Sequence, residues 1–304
     1  MKRIVGIGEL LWDMLPTGPQ LGGAPANYSV MAARLGNQAT ILSRIGADAL
    51  AGQTLEVLAG YPVDASHLQQ DAEHPTGQVS VELADGQPSY VIHAPAAWDF
   101  LQATDAWTQV VRQCDAICFG SLAQRNVVSA ATIARLLRSV GQQSARIFDV
   151  NLREPFYSAA VLQQSLTLAS VVKMNDAEVP RVLELLQLPA AASSSDPFRA
   201  AAEALLEQYP ALELVAITCG GEGSLLVSRQ DWHRHPGVPT EVMDTIGAGD
   251  AFTAAMTHYL LRQAPLAVLN EAGNRWGSYL ASQAGAMPPI PEETMEQIRR
   301  EIEG

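Results

Sequence analysis

The stretch "DTIGAGDAF", residues 244–252, decides the fold at this end of the chain, because a glycine-rich turn there opens directly into a helix. The sequence that follows, "DAFTAAMTHYLLR", places apolar side chains at helical spacing. A glycine turn before a helix exposes unpaired backbone N–H groups at the positive end of the helix dipole, and both favour a bound anion. Asp250, itself an anion, nevertheless lies in that first turn. Why a carboxylate stands there is the first functional question that the sequence raises.

Two interpretations of Asp250 fit its spacing equally well. In the first, the stretch serves phosphate transfer to a hydroxyl group, which needs backbone donors for the phosphoryl oxygens and an acceptor for the hydroxyl proton. The N–H groups of Ala248, Gly249 and Asp250 would be the donors, and the Asp250 carboxylate would be the acceptor. In the second, Asp250 only stabilises the helix that follows. In either case the helix dipole predicts a lowered pKa for Asp250.

Composition narrows the class of protein. The chain has 304 residues, 48% of them apolar, and its short, interrupted apolar runs predict a globular protein without a membrane span. The net charge of −13 and the scattered basic residues disfavour nucleic-acid binding. Glu9 and Asp13 interrupt the N-terminal apolar stretch, so we expect a first strand there rather than a signal peptide. Cys114, Cys118 and Cys219 form no CxxC pair, which favours reduced thiols and a cytoplasmic location.

Strand-like apolar runs alternate with helical patterns along most of the chain, which predicts a single α/β domain over residues 1–304 with a mostly parallel sheet. Residues 76–93 break this alternation, since they show a period of two around an Asp-Gly turn and predict an antiparallel hairpin. We expect a small β lid built from residues about 12–21 and 76–96. Three shorter predictions are one strand over "ATILSRIG", a hairpin around "GGEG" and a surface loop over "LPAAASSSDP".

A second glycine cluster, "LGGAPANYSV" at residues 21–30, also precedes a helical pattern. Gly22 and Gly23 let the backbone approach a ligand, and Asn27 lies one turn inside the helix. Backbone amides beside an Asn side chain suit a polyhydroxyl compound, and a tight loop would use the same residues. Other nucleotide motifs are missing: no lysine follows a glycine as in a Walker A loop, and "GIGELL" lacks the third glycine of a dinucleotide fingerprint.

Taken together, "GELLWDMLP…LGGAPANYSVMAARLG" and "DTIGAGDAFTAAM" resemble the two signatures of the ribokinase-like sugar kinases, the phosphofructokinase-B family, and most of all its fructokinase-like branch. The resemblance runs in order over nearly the whole chain. It implies a three-layer α/β/α sandwich with a small β-strand lid. It also implies a phosphotransferase that uses ATP and Mg²⁺ to phosphorylate a sugar hydroxymethyl group.

The resemblance also assigns roles to individual residues, which we take as expectations. Asn175 and Glu178 would hold Mg²⁺ through water, although an Asn followed by a Glu three residues later is also the pattern that caps a helix. Pro289 stands where many relatives have a serine, which weakens the case for activation by K⁺. The complete set is the base Asp250 with an anion hole at Gly247, Ala248 and Gly249; sugar contacts at Asp13, Gly22, Gly23, Asn27 and Arg153; nucleotide contacts at Thr218, Gly220, Gly223 and Asn274; and a candidate monovalent cation site at Asp244, Ile246 and Gly285.

Several alternatives stay open from the sequence. D-fructose is the first candidate substrate, followed by ribose or a 2-keto-3-deoxy sugar acid, for which Arg153 could meet the carboxylate, and a nucleoside comes last. A different class would be a non-catalytic sugar-binding regulator on the same fold. Trp98 could stack on the sugar or anchor the hairpin, and His233 with His235 lacks a third ligand for a metal. Exposed edges of the lid predict a homodimer.

Overall fold

The computed structural model describes residues 1–16, 18–84, 87–189 and 195–304. A central sheet has eight strands in the order β14-β13-β12-β11-β10-β9-β1-β4. The pairs from β12 to β4 are parallel, and β13 and β14 are added antiparallel at one edge, so the hairpin predicted around "GGEG" is confirmed. The strands are β1 Arg3–Ile7, β4 Gln38–Leu42, β9 Ala116–Gly120, β10 Ala145–Asp149, β11 Val171–Asn175, β12 Leu214–Thr218, β13 Ser224–Ser228 and β14 Trp232–His235.

Helices cover both faces of this sheet, because its strands alternate apolar side chains between two separate cores. In β9, Ile117 and Phe119 join one cluster, whereas Cys118 joins the other. The first cluster is closed by α3 to α7 and the second by α1, α8, α9 and α10, which gives the three layers that the sequence predicts. The helices are α1 Ala24–Arg34, α2 Ala49–Ala59, α3 Asp105–Gln113, α4 Val127–Ser139, α5 Ala159–Leu168, α6 Glu178–Leu186, α7 Pro197–Gln208, α8 Ala248–Leu260, α9 Leu266–Ala281 and α10 Glu292–Glu303.

A second sheet of four strands contains the predicted hairpin. Its order is β3-β2-β7-β8, with β2 Leu11–Leu15, β3 Gly18–Gly22, β7 Gly77–Ala84 and β8 Gln87–Ile92. The strands β7 and β8 pair antiparallel as expected, and β2 joins β7 in a parallel pair. The turn of the hairpin, residues 85 and 86, lies outside the described residues, as do residues 190–194 of the predicted surface loop.

One strand prediction was wrong. The stretch "ATILSRIG" forms two strands in different sheets, because β4 ends at Leu42 and β5 runs over Arg44–Gly46 beside β6, Gln69–Asp71. Ser43 between them is fully buried, and its hydroxyl donates to the carbonyl of Gly8 at 2.7 Å. This contact turns the chain away from the large sheet, which a pattern of apolar residues does not reveal.

The tryptophan after the hairpin has a structural place. Trp98 is 0% exposed, and the Arg125 guanidinium lies 3.9 Å from the centroid of its ring. Asp99 then pairs with Arg125 at 2.7 Å, so that the segment behind the hairpin is fixed to the large sheet. Of the two roles that the sequence left open for Trp98, the structure supports the anchor, since a fully buried ring has no face for a sugar.

Candidate active site

The two glycine motifs meet at one hydrogen bond. Asn27 lies in the first turn of α1 and Asp250 in the first turn of α8, and both side chains are buried. The Asn27 Nδ2 atom donates to the Asp250 Oδ2 atom at 2.8 Å across a sequence separation of 223 residues. The N-termini of two helices therefore converge at the carboxyl-end edge of the parallel strands, which is where α/β sheets place their ligands.

Backbone geometry explains the glycines in both turns. Gly247 precedes α8 with a φ of 78°, and a Cβ atom there would lie 2.9 Å from the Ala286 Cα atom. Gly23 precedes α1 with a φ of 107°, and its Cβ would lie 2.5 Å from the Glu9 carbonyl oxygen. Both positions combine a positive φ with a close backbone neighbour, so only glycine fits. In α1 the N–H groups of Ala26 and Asn27 donate to the Gly23 carbonyl, each at 3.0 Å. In α8 the Ala248 N–H makes one long bond, 3.3 Å, to the Thr245 carbonyl, and the first-turn N–H groups can face an anion.

The Asp250 carboxyl is a stronger base than its position at a helix start predicts. Its pKa is raised to about 6: burial raises it most and the nearby Asp149 carboxylate also raises it, whereas the hydrogen bond from Asn27 and the charges of Lys173 and Arg153 lower it. The expectation of a lowered pKa was wrong. Desolvation of a carboxylate that is 9% exposed outweighs the helix dipole, which contributes at most about 2 kcal/mol.

A buried ion pair lies beneath the α8 turn, and the sequence analysis did not find it. The Nζ atom of Lys173, the central residue of β11, lies 3.1 Å from the Oδ1 atom of Asp149, the last residue of β10, and both side chains are almost fully buried. The hydroxyl of Thr253 in α8 lies 2.9 Å from Asp149 Oδ2 and 2.9 Å from the Gly249 carbonyl oxygen. One signal in the sequence was available: Lys173 is the only lysine besides Lys2.

The expected sugar side has two further carboxyl groups. Asp13 in β2 is half-buried, and a Cβ on Gly22 would lie 2.8 Å from its Oδ2 atom, so Asp13 and the second glycine cluster are in contact. Burial raises the pKa of Asp13 to about 6, and the charge of Arg153 lowers it. Glu9 is 4% exposed, burial raises its pKa to about 7, and its Oε2 atom has no hydrogen-bond partner. Sequence reasoning gave Glu9 no role.

The Arg153 side chain is exposed, but its charge reaches this group of carboxyls. It lowers the pKa of Asp13, of Glu9 and of Asp250, which places the guanidinium near all three. Its Nη1 atom donates to the carbonyl of its neighbour Leu152 at 3.3 Å. The position of Arg153 beside the expected site, rather than on a distant surface, agrees with a ligand contact.

The expected nucleotide residues lie at the ends of β12 and β13. Thr218 ends β12, and Gly220 and Gly223 follow with φ values of 53° and 85°. A Cβ on Gly223 would meet the His235 carbonyl oxygen at 2.0 Å, so this turn also requires glycine. Asn274 in α9 is 6% exposed and donates to the Ser224 hydroxyl at 2.6 Å. Its amide group is therefore used inside the protein, which does not favour the expected adenine contact.

The side chains of Asn175 and Glu178 bond each other's backbone. Asn175 Oδ1 accepts from the Glu178 N–H, and Glu178 Oε2 accepts from the Asn175 N–H, each at 2.8 Å. Glu178 Oε1 also accepts from the Leu152 N–H at 2.8 Å. These are the reciprocal bonds of a capping box at the start of α6. Each carboxylate oxygen keeps a further lone pair, so the water-mediated magnesium role stays a prediction.

The candidate monovalent cation residues are brought together. Asp244 Oδ1 accepts from the Ile246 N–H, and Asp244 Oδ2 accepts from the Gly285 N–H, each at 3.0 Å. These bonds join the turn before α8 to the segment after α9. Within the described residues, no group of three or more His, Cys, Asp and Glu side chains could hold a metal ion, so His233 and His235 form no metal centre there.

Comparison with known proteins decides the family. The sequence profile described as "pfkB family carbohydrate kinase" matches residues 18–293, which is most of the chain. The chain belongs to the pfkB family of carbohydrate kinases. It is therefore a phosphotransferase, and the fold is the ribokinase-like one that the two glycine motifs predict. None of the described helices of this pfkB kinase is both long and apolar enough to cross a membrane.

Three similar proteins place this pfkB kinase among sugar kinases. A fructokinase from Escherichia coli is 29% identical over 94% of this chain and 95% of its own length. An aminoimidazole riboside kinase from Salmonella typhimurium is also 29% identical, over 96% of this chain and 92% of its own. The solved structure of a sugar kinase from Pyrococcus horikoshii in complex with ATP has a TM-score of 0.81 and 27% identity, covering 98% of this chain and 99% of that one.

Proposed function

We propose that this pfkB kinase transfers the γ-phosphoryl group of ATP to a hydroxymethyl group of a sugar, with D-fructose as the first candidate. The single observation that carries the proposal is the hydrogen bond between Asn27 and Asp250. It sets a side chain suited to sugar hydroxyls against a buried carboxylate that can accept a proton near neutral pH. Relatives named fructokinase support the choice of sugar, and the aminoimidazole riboside kinase shows that the family spans other substrates.

In the proposed reaction, Asp250 accepts the proton of the attacking sugar hydroxyl. The new bond forms between that oxygen and the γ-phosphorus, and the bond from the phosphorus to the bridging oxygen of ATP breaks, which releases ADP. The first-turn N–H groups of α8, from Ala248 to Asp250, face the phosphoryl oxygens where negative charge accumulates. Asp13 and the backbone of Gly22 and Gly23 hold the other sugar hydroxyls, so that the reacting hydroxyl points toward Asp250.

The residues at the nucleotide side fit magnesium held mainly by phosphate oxygens and water. Magnesium prefers such a partial protein shell, and it would neutralise charge on the phosphates. Glu178 offers one carboxylate whose two oxygens each hold a single N–H bond, so water can bridge to it. Thr218 and the glycine turn after β12 would lie along the phosphates, and Asp244, Ile246 and Gly285 would form the monovalent cation site if K⁺ activates this kinase.

The four-stranded sheet is proposed as the lid of a single domain, over residues 12–21 and 76–96. It carries Asp13 on β2 and Gly22 at the end of β3, so its movement would carry sugar contacts toward Asp250. A closed lid would exclude water, which limits ATP hydrolysis. A homodimer through the edge of this sheet remains a prediction, and light scattering that gives a monomer mass at assay concentration would contradict it.

The experiment that tests the function is ADP release, measured with a coupled assay in ATP and Mg²⁺. The sugars are fructose, ribose, 2-keto-3-deoxygluconate, glucose and adenosine as the nucleoside. We expect fructose to give the highest kcat/KM. A preference for the keto-acid would move the assignment to a sugar-acid kinase, in which Arg153 meets the carboxylate. No turnover on any compound, with sugar binding seen by thermal shift, would favour the non-catalytic regulator.

The activity should depend on pH in the acid range. Asp250 can accept a proton only when it is ionised, and its pKa is raised to about 6, so kcat/KM should rise from pH 5 to pH 8. Well below pH 6 the rate should fall by roughly tenfold per pH unit, and more steeply if Asp13, with a pKa also raised to about 6, must be ionised to hold the sugar. Initial rates at constant ionic strength measure this. A flat profile over pH 5 to 8 would contradict the base role.

A further inference from the structure

A charged pair that the proposed reaction does not use lies directly beneath the anion turn. Lys173 and Asp149 are 4% and 3% exposed, their side chains meet at 3.1 Å, and they are paired positions on the adjacent parallel strands β11 and β10. A buried pair of this kind carries a large desolvation cost, and it is weak evidence for stability. The position of the pair beneath the anion turn therefore indicates a role in the candidate site rather than in the stability of the core.

The pair touches the turn through two contacts. A Cβ atom on Gly249 would lie 2.8 Å from Lys173 Nζ, which means that the ammonium group approaches the turn where the glycine has no side chain. On the other partner, Asp149 Oδ2 accepts from the Thr253 hydroxyl at 2.9 Å, and the same hydroxyl also lies 2.9 Å from the Gly249 carbonyl oxygen. The φ of Gly249 is not in the left-handed region, so glycine is needed there because it leaves room for the Lys173 ammonium group, and not because it frees the backbone.

The pair also acts on the charge of Asp250 from below. The ionisable groups around Asp250 are Lys173 within β11, Asp149 at the end of β10, Arg153 in the loop after β10, Glu9 after β1 and Cys118 in β9. Lys173 favours the ionised form of Asp250, whereas Asp149 opposes it. Asp13 responds to Arg153 and Asp244, so the two carboxyls share Arg153, but only Asp250 responds to the buried pair.

We propose that Lys173 and Asp149 are positioning residues of the phosphoryl transfer: together they hold the first turn of α8, and the Lys173 charge keeps the Asp250 carboxylate ionised. The inference rests on the proposed role of Asp250 as base. Lys173 acts through Asp250 and the turn, and it does not itself touch the sugar. Its effect should therefore show in the pH at which activity is lost, and not only in the size of the rate.

The test compares pH profiles of kcat/KM for two variants that change the pair in opposite ways. Lys173→Met removes the charge that favours the ionised form of Asp250. We therefore expect the acid limb of the profile, the range in which activity falls with decreasing pH, to move to higher pH by about one unit or more. Asp149→Asn keeps the shape but removes the opposing carboxylate, so the acid limb should move down. At pH 6, where about half of Asp250 is ionised in the unmodified chain, the first variant should thus retain roughly five- to sixfold less of its own plateau activity than the unmodified chain does.

The matched control is the only other lysine. Lys2 pairs with Asp115 at 3.5 Å on the surface, with side-chain exposures of 39% and 36%, so Lys2→Met should leave the profile unchanged. A purely structural role for the buried pair would lower the rate at every pH without moving the limb, and that result would overturn the inference. Acid limbs that move in the same direction in both variants would also overturn the inference.

Two outcomes separate this inference from the proposed function. If the unmodified chain shows no acid limb, Asp250 is not the base, and the proposed function fails first. If the limb is present but neither variant moves it, only the positioning role fails. If the Lys173→Met protein does not fold, the Asp149→Asn profile alone tests the inference. The loss of the stabilising contact between Asp149 and Lys173 cannot by itself shift the acid limb to lower pH.

Discussion

We expect the Asp250→Asn kinase to phosphorylate its sugar about 1,000-fold more slowly than the unmodified chain, which is within the range for loss of a general base. The amide keeps the shape of the carboxylate, and its oxygen can still accept from Asn27 Nδ2, so the sugar site should stay intact. The effect should therefore fall on kcat, while the affinity for sugar changes by less than about threefold. Coupled ADP release gives kcat, and titration calorimetry with the preferred sugar gives the affinity.

A suitable control for this change is Asp115→Asn, since that carboxyl lies at the surface beside Lys2. It should retain full activity. An Asp250→Asn protein that keeps most of its turnover would remove Asp250 from the base role, and the carboxyl of Glu9, which is buried and has an oxygen without a hydrogen-bond partner, would become the next residue to change.

The second large effect should come from Gly247→Ala. The φ of 78° at this position costs an L side chain about 1–2 kcal/mol, and the new Cβ would lie within 3.0 Å of the Ala286 backbone. The turn must move to relieve this contact, and the N–H groups of α8 move with it. Because a shift of about 1 Å in a positioned group can cost about 100-fold in rate, we expect at least that loss in kcat/KM, measured by the same assay.

The control for Gly247 separates backbone strain from the contact with Ala286. Gly36 ends the loop after α1 with a φ of 84°, but no heavy atom lies within 4 Å of where its Cβ would be. Gly36→Ala should therefore lower the melting temperature by a few degrees and leave kcat/KM unchanged. If both variants lose activity equally, general destabilisation explains the loss, and the anion turn has no special requirement for glycine.

Most of the fold could be predicted because its signals are local. The alternation of strands and helices indicates the parallel sheet, and the period of two in residues 76–93 indicates the antiparallel pair β7 and β8, which is confirmed. The sequence analysis put residues 12–21 and 76–96 in one lid, but the parallel direction of the pair β2 and β7 could not be predicted, since nothing in either strand specifies it. The break between β4 and β5 at Ser43 was not predicted either, because it depends on a hydrogen bond to the distant carbonyl of Gly8.

Only those site residues that lie in recognisable sequence motifs could be predicted. The glycine turns and Asp250 stand out in the sequence, and the structure brings Asn27 and Asp250 together. The pKa of Asp250 could not be predicted, because it depends on burial and on Asp149, which is 101 residues away in the chain and adjacent only in the fold. Lys173 was missed because a lysine is almost never fully buried without a partner, and its partner Asp149 is adjacent only in the fold.

The long separation between Asn27 and Asp250 has a consequence for the synthesis of the protein. Asn27 leaves the ribosome 223 residues before Asp250, and the buried pair at positions 149 and 173 also precedes the base. On the proposed mechanism, an unfinished chain can assemble the sugar-contacting half of the site but has no anion turn and no base. Phosphoryl transfer therefore begins only after α8 has emerged and folded, so that chains that stop before Asp250 consume no ATP.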